Sequence, residues 1–476
     1  MSNTQPARGM RDFLPADIRK RNYVIGIIKE VYEKYGFEPL ETPSVENLET
    51  LTGKYGEEGS GLMFKILKRG EKLQQELAEG KIKSENELSD LALRYDLTVP
   101  LARVVANYKN DLPKFFKRYQ IQPVWRADRP AKGRYREFYQ CDVDAIGSSS
   151  MIVEAELISA VSEIFEKLDF KDFTIWINHR KLLSGVLESA DVLADKNSDV
   201  LVSLDKLDKI GEDGVETELV NKGISEESIA ALLSFIREVK RTHGIFDGVK
   251  ASKGEEYSNQ QLNKTFNDTT LEMMKVDVLK NSGIGMEGID DLEETFQLLY
   301  KIGIATTKVN PTLARGLSYY TGAILEINVP DFAGSLAGGG RYDGLIGMFG
   351  KEQIPAVGFS IGLERILYVM EERGMFPENL TTNSADVMIT LWNEETASES
   401  LKLAGELRAE GLRVLVYPEA DKLGKQFKYA DSINIPFVCI LGETELAENK
   451  VALKNLKTGE QSTVKREEIK SLIVKE

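Results

Sequence analysis

Val124-Trp125-Arg126-Ala127-Asp128-Arg129-Pro130-Ala131-Lys132-Gly133-Arg134-Tyr135-Arg136-Glu137-Phe138-Tyr139-Gln140 is the densest chemistry in the chain. An apolar run enters it over 115–126 and a second strand-like run leaves it over 137–147, so the segment predicts an antiparallel hairpin with a long charged tip. Between Arg126 and Arg136 stand five cations and one acid, a local charge of +4. A solvated hairpin tip is the ordinary reading of such a charge run. Two features oppose it. Arg126 closes an apolar strand, where an unpaired guanidinium is costly. Phe138 and Gln140 share a strand face, opposite Glu137 and Tyr139. Cations beside an aromatic plate suit a nucleotide, with phosphate on arginine and base on phenylalanine.

The rest of the chain frames that hairpin. Its 476 residues carry 61 Lys and Arg against 76 Asp and Glu, a net charge of −15. The body is acidic, so nucleic-acid contact would need a local basic patch. Cys141 and Cys439 make neither a disulfide framework nor a four-thiolate zinc site, which fits a reducing cytoplasm. The only histidines, His179 and His243, lie away from the dense motifs, so a histidine-based nucleophile system or metal site is not expected. No signal peptide or membrane-length apolar run is visible.

Helices are expected over 15–35, closed by Gly36, and over 99–108, 150–168, 292–302 and 363–373; strands over 37–45, 91–95, 173–178, 308–310, 323–329 and 358–362. Ser149 or Ser150 is the expected cap of the helix at 150. Residues 52–90 read as an irregular excursion or hairpin, and 337–350 as a glycine-rich segment. Short acidic helical patterns fill 180–264. After a polar linker, 375–384, strands and helices alternate over 386–441, which predicts a small α/β domain with parallel strands. That domain carries 13 basic and 16 acidic residues from Ala385 onward. Lys422, Lys425 and Lys428 recur on one helix and suit phosphates or a solvated face equally.

Two further motifs complete the pattern. Leu313-Ala314-Arg315-Gly316-Leu317-Ser318-Tyr319-Tyr320-Thr321-Gly322 reads alone as a strand with a glycine bend. Gly358-Phe359-Ser360-Ile361-Gly362-Leu363-Glu364-Arg365 reads alone as a strand packed closely onto a helix. In order, Leu40-Glu41-Thr42-Pro43 after the first helix, the Arg126 hairpin and Gly358–Arg365 resemble motifs 1, 2 and 3 of class II aminoacyl-tRNA synthetases. Arg315-Gly316-Leu317-Ser318-Tyr319-Tyr320 resembles the signature of the histidyl-tRNA synthetases within that class. Arg94-Tyr95-Asp96-Leu97-Thr98-Val99-Pro100 and Ala337-Gly338-Gly339-Gly340-Arg341-Tyr342-Asp343 belong to the same pattern.

The resemblance implies an α+β fold: an antiparallel-sheet catalytic domain over 1–179 and 265–374, interrupted by a helical insertion at 180–264. The linker 375–384 then leads to a C-terminal α/β anticodon-binding domain at 385–476. It implies ATP, with Mg2+ on its phosphates, L-histidine and tRNA(His) as substrates, a cytoplasmic homodimer, and no structural metal or membrane partner. Arg126 and Arg315 are the implied catalytic groups at the α-phosphate and substrate carboxylate. Arg134, Arg136, Phe138 and Arg365 join Arg126 around ATP. Asp96, Thr98 and Gln140 group about the histidine ammonium; Asp144 and Tyr320, beside Tyr319, about its imidazole; Leu97 is implied among the histidine-binding residues. Asp96 also suits a helix cap, and Asp144 a structural pair with a neighbouring arginine. Ser318 stands where many members carry Asp, and Asp144 where many bacterial members carry the longer Glu. A catalytically inactive paralogue, regulatory or tRNA-sensing, is the competing expectation; retention of Arg126, Arg315, Arg365 and the C-terminal domain argues against it.

Overall fold

The computed structural model describes the chain except residues 1–3, 56–58, 60, 80–85, 254–258, 280–281, 315–318, 351, 378–379, 381–383 and 475–476. It divides into two compact units, residues 1–14 with 21–375 and residues 15–20 with 376–476.

The first unit is built on an eight-stranded sheet. Its strands are β1 (Glu38–Pro39), β5 (Phe116–Trp125), β6 (Glu137–Ile146), β7 (Thr174–His179), β8 (Thr307–Val309), β9 (Ala323–Asn328), β10 (Ala337–Arg341) and β11 (Ala356–Gly362). The order is β1-β5-β6-β11-β10-β9-β7-β8. Pairing from β5 through β7 is antiparallel, and the short edge strands β1 and β8 are parallel to their neighbours. A smaller sheet joins β2 (Val45–Asn47), β3 (Lys65–Leu67) and β4 (Ser89–Leu93) in the order β2-β4-β3. The strand expected over 37–45 thus shrinks to two residues at a sheet edge, and a second piece pairs elsewhere. Prolines at 39 and 43 remove two donors from that ladder. The 52–90 excursion, where described, holds β3 and a helix, Glu71–Glu79.

Helix α1 (Pro15–Lys34) buries Val24, Ile28, Val31 and Tyr32 on a 3.6-residue period, and Gly36, at φ 76°, ends it. Helix α2 (Thr98–Asn107) buries Val99, Leu101, Ala102 and Val105 in the core with Tyr319 and Tyr342. Helix α3 (Ile152–Lys167) starts two residues later than its sequence suggests and has no side-chain cap; Ser150 Oγ instead accepts from the Ile152 N–H at 3.3 Å. Between β7 and β8 the described chain is helical, in Arg180–Ser189, Asn197–Leu204, Leu207–Asn221, Glu226–Lys253, Asn259–Met273 and Gly283–Lys301. Gly211, at φ 69°, kinks the third of these. Helix α4 (Leu363–Glu372) follows β11 directly.

The glycine-rich segment expected at 337–350 begins with a strand, β10. Glycine is needed there because neighbours crowd it: a Cβ on Gly340 would lie 3.0 Å from the Tyr320 ring. Glycine's strand-weakening entropy is the accepted cost of that approach.

The second unit holds β12 (Val387–Ile389), β13 (Val414–Val416), β14 (Phe437–Ile440), β15 (Lys450–Asn455) and β16 (Gln461–Lys465), ordered β13-β12-β14-β15-β16. The first three are parallel, as the alternation predicts; the antiparallel pair β15–β16 is an addition that the alternation did not reveal. Among its lysines, Lys425 is tied to Asp421 at 2.7 Å.

Candidate active site

Strand β6 is the spine of the site. Its period of two puts Phe138, Gln140, Asp142 and Asp144 on one face. Cross-strand partners in β5 are Gln122 for Gln140, Gln120 for Asp142 and Arg118 for Asp144. On the other side β11 places Gly362, Ser360 and Gly358 beside the same three residues. A polar row thus supports the β6 face from one side, and small residues clear space on the other.

A cleft of about 330 Å3 opens at the hairpin end. Arg126, Arg134, Phe138, Gln140, Ser360 and Arg365 are in its wall. Arg126 is braced from below: its Nε donates to the Tyr95 carbonyl at 3.0 Å, and Nη2 reaches Gln140 Oε1 at 3.4 Å. Its guanidinium lies 5.2 Å from the centre of the Phe138 ring. Arg134 forms a two-point pair with Asp128, at 2.8 and 3.1 Å. Arg365 donates to the Ser335 carbonyl. Arginines held by neutral or single-acid partners keep donors to spare for an anion. Glu364, also in the cleft wall, is engaged by the protein itself, pairing with Arg21 at 2.9 Å and accepting from the Tyr139 N–H at 2.9 Å, which locks α4 to β6.

Arg136 is not in the cleft wall. Its Nε donates to the Asp128 carbonyl at 3.0 Å, so it shapes the hairpin from behind. Lys209, on the kinked helix Leu207–Asn221, joins the wall; nothing in its acidic surroundings in sequence singles it out. Arg315 falls on residues outside those described.

An inner recess of about 20 Å3 adjoins the cleft at Gly338 and Ser360, which line both spaces. Thr98, Asp142, Asp144, Tyr320 and Tyr342 also line the recess. Asp96 lies buried near it. Its carboxylate accepts from the Tyr55 hydroxyl at 2.9 Å and the Val99 N–H at 3.0 Å, with the Tyr319 hydroxyl at 3.4 Å. The helix-cap role of Asp96 is therefore real. Burial raises its pKa, opposed by the Val99 N–H and Arg126. Leu97 presents its carbonyl to Arg118 at 3.3 Å.

Asp144 has an arginine partner. Arg118 Nη2 sits 2.7 Å from its Oδ2, in ion-pair contact but not aligned as a hydrogen bond. The Tyr342 hydroxyl donates to Oδ1. Asp142 lies two residues nearer the cleft, and Gln140 Nε2 is 3.5 Å from its Oδ1. Burial pushes Asp142 up to about 7, against the pull of Arg118 and with the added push of Asp144. Burial raises Asp144 as well, opposed by Arg118 and Tyr342. Burial also raises the phenols of Tyr319 and Tyr320. Asp142, Arg118, Tyr55 and Tyr342 are absent from the sequence-based site; Asp142 had a signal in its strand parity with Gln140 and Asp144, and Tyr342 in its place within the Ala337–Asp343 motif.

Among the described residues no group of three His, Cys, Asp or Glu is placed to hold a metal ion, and no helix is long and apolar enough to cross a membrane. The carboxylates nearest the cleft, Asp128 and Glu364, are engaged by arginines. The donor set fits phosphates.

Residues 9–366 match the sequence model described as histidyl-tRNA synthetase, and residues 386–476 that of an anticodon binding domain. The chain is 45% identical to the histidine–tRNA ligase of Porphyromonas gingivalis over 95% of both chains. It is 43% identical to that of Flavobacterium johnsoniae over 98% of both. A crystal structure of histidyl-tRNA synthetase from Nostoc sp. PCC 7120 matches all of both chains with a TM-score of 0.77 at 30% identity. The motif order read from the sequence, the antiparallel sheet beneath the cleft and these full-length likenesses agree: the chain belongs to the histidyl-tRNA synthetase family.

Proposed function

We infer that the two spaces along β6 are where this histidine–tRNA ligase makes histidyl-adenylate, with ATP in the cleft and histidine reaching from it into the recess. The observation that carries this reading is the reversal of charge along one strand face: arginines at the hairpin end, carboxylates at the inner end. Activation joins a carboxylate to the α-phosphorus and expels diphosphate. Negative charge gathers there, and fixed cations stabilise it at little reorganisation cost. Arg126 is placed for that, between the cleft and Gln140. Phe138 and Arg365 offer the adenine a ring face and a planar cation. Arg134 is a cleft cation for the phosphate tail; Arg136 supports the hairpin that carries it. Arg315 is assigned to the α-phosphate by its motif. Mg2+ arrives on the ATP phosphates as part of the substrate.

Asp96, Thr98 and Gln140 receive the histidine ammonium, and Tyr320 with the acidic face of β6 receives the ring. In the second step a ribose hydroxyl of tRNA(His) attacks the adenylate carbonyl and AMP leaves, so no covalent enzyme intermediate is needed. Residues 385–476 bind the anticodon region, the helices over 180–264 form an insertion, and the chain works as a cytoplasmic homodimer joined through the Pro43 region. ATP–diphosphate exchange assayed with each of the twenty amino acids tests the activity, with histidine alone expected to support it. Sedimentation tests the dimer.

A further inference from the structure

The N-terminal arm, residues 7–13, has no part in the site described above, yet it grips the hairpin that carries the arginines of the cleft. The grip falls where the sheet stops helping. The β5–β6 ladder ends with Trp125 opposite Glu137. Beyond it the Arg126 N–H donates to the Arg136 carbonyl at 2.9 Å, and Ala131 bridges Arg134 at the tip. The Arg136 N–H points out of the hairpin and donates to the Gly9 carbonyl at 2.8 Å. One residue thus links the backbone of Arg126 to the arm. The arm turns sharply to make that contact: the Met10 N–H donates to the Ala7 carbonyl at 2.9 Å, with Gly9 at φ 84°, where glycine is favoured. Space requires glycine as well, since a Cβ there would lie 2.8 Å from Arg136 Cγ and 2.9 Å from Pro130 Cγ.

Side chains extend the grip to the cleft. The Arg11 guanidinium lies 3.8 Å from the centre of the Tyr135 ring, and its Nη1 donates to the Tyr135 hydroxyl at 3.0 Å. Tyr135 stands in the cleft wall with Arg134. Arg136, tied to the arm by its backbone, donates from Nε to the Asp128 carbonyl at 3.0 Å, and the Asp128 carboxylate holds Arg134. The other end of the arm is anchored in the body. The Phe13 ring takes Arg11 at 4.5 Å and Arg21 at 4.1 Å. Arg21 is buried, covers the Tyr139 ring at 4.5 Å and pairs with Glu364. A row of cations and rings therefore runs from the contact between α4 and β6 out to the hairpin tip.

We propose that residues 7–13 are a positioning strap for the ATP hairpin, with Arg11 seating Tyr135 and Gly9 holding the backbone at Arg136. The assignment rests on the reading of the hairpin-end cleft as the ATP site. Five cations crowd the chain between Arg126 and Arg136, and they repel one another until phosphates arrive. A hairpin held in shape beforehand meets the phosphates without reordering, so less of the binding energy is lost. The arm touches no substrate in this role. It acts through its backbone and its stacked rings, not through added charge.

The test is ATP–diphosphate exchange by the full chain with Arg11→Ala, Arg11→Lys, Tyr135→Ala and the double variant Arg11→Ala with Tyr135→Ala. Losing one exposed cation–π contact and one hydrogen bond should raise KM for ATP ~5–30-fold in Arg11→Ala, with KM for histidine changed less than about twofold. General weakening of the fold would move both constants together. Arg11→Lys keeps the charge but loses the flat face that lies on Tyr135, so it is expected to behave like Arg11→Ala. In the Tyr135→Ala background the partner is already gone, and Arg11→Ala is expected to add less than about twofold. An unchanged KM for ATP or an equal rise for both substrates in Arg11→Ala, recovery in Arg11→Lys, or the full added loss in the double variant overturns the strap while the ATP site stands. A wild-type chain without histidine-dependent exchange would overturn the ATP-site reading itself.

Discussion

Replacing Arg118 by methionine tests how the acidic recess is held together. Arg118 is fully buried. Its guanidinium faces Asp144 Oδ2 at 2.7 Å, the Leu97 carbonyl at 3.3 Å and Gln120 Oε1 at 3.3 Å. It is also the principal cation opposing the upward push of burial on both Asp142 and Asp144. Methionine keeps most of the apolar volume and removes the charge. Breaking one side of a buried pair costs ~3–5 kcal/mol, because the remaining charge has no compensation. The cost falls below that figure only if the carboxylates take up protons. At ~2–4 °C per kcal/mol, the melting temperature should drop by roughly 10 °C.

A compensating change sharpens the test. Asp144→Asn in the Arg118→Met background removes the stranded charge, so the double variant should recover more than half of the lost stability. Thermal unfolding followed by tryptophan fluorescence and by circular dichroism gives both numbers. A single variant that melts within a degree or two of the wild type would refute the idea that Arg118 neutralises the recess. Failure of the double variant to recover would mean that Arg118 matters through packing alone.

Gly358→Ala places a methyl 1.9 Å from Asp144 Oδ1; it should raise KM for histidine tenfold or more while KM for ATP holds, and equal changes in exchange kinetics would discredit the glycine as a spacer. Arg126→Ala and Arg315→Ala should each slow adenylate formation by roughly 10²–10³, the effect of losing one donor at the developing charge; near-normal single-turnover rates would remove the residue concerned from the catalytic set. A chain ending at Ser384 should retain exchange and charge tRNA poorly, so full aminoacylation by it would deny the C-terminal domain its role. The folded-state pKa of Asp142, about 7, lies above the usual unfolded value of ~4, so the folded chain holds the extra proton and stability falls as pH rises through that window. Asp142→Asn should therefore melt several degrees above the wild type at pH 8 and match it near pH 4, and a difference independent of pH would contradict the burial argument.

Local pattern carried the fold where periodicity was strong. The hairpin β5–β6, helix α1 with its closing Gly36 and the parallel strands of the C-terminal unit follow from alternation, a 3.6-residue stripe and a glycine. Where packing decides, the sequence was mute. Nothing local says that Gly338–Gly340 lie in a strand, since glycine is a poor strand former; the crowding of Tyr320 and β11 makes it the residue that fits. Residues 450–465 offer no α/β alternation, so their hairpin was missed. The site divides in the same way. Motif residues Arg126, Phe138, Gln140 and Arg365 converge in the cleft. Arg118 and Tyr342, which hold Asp144, lie 26 residues before it and 198 residues after it, and only the sheet brings the three together.

The acidic composition of the chain then has a local meaning. From Arg134 to Asp144 the backbone passes from cation to carboxylate in ten residues of one hairpin arm. Because side chains on one face of a strand cannot slide past one another, the order of charges along β6 fixes the order of chemical groups in any ligand that lies on it. The proposed reading puts a triphosphate at the hairpin end and a cationic or N–H-bearing group at the inner end. On the proposed reading the amino acid's carboxylate is left at the boundary, beside Arg126, where the α-phosphate also ends. Positioning of this kind would bring the two reacting groups together and turn a shared binding surface into rate. Changes at the inner end should consequently alter which amino acid is used and leave ATP binding intact, whereas changes at the hairpin end should slow activation whatever the amino acid.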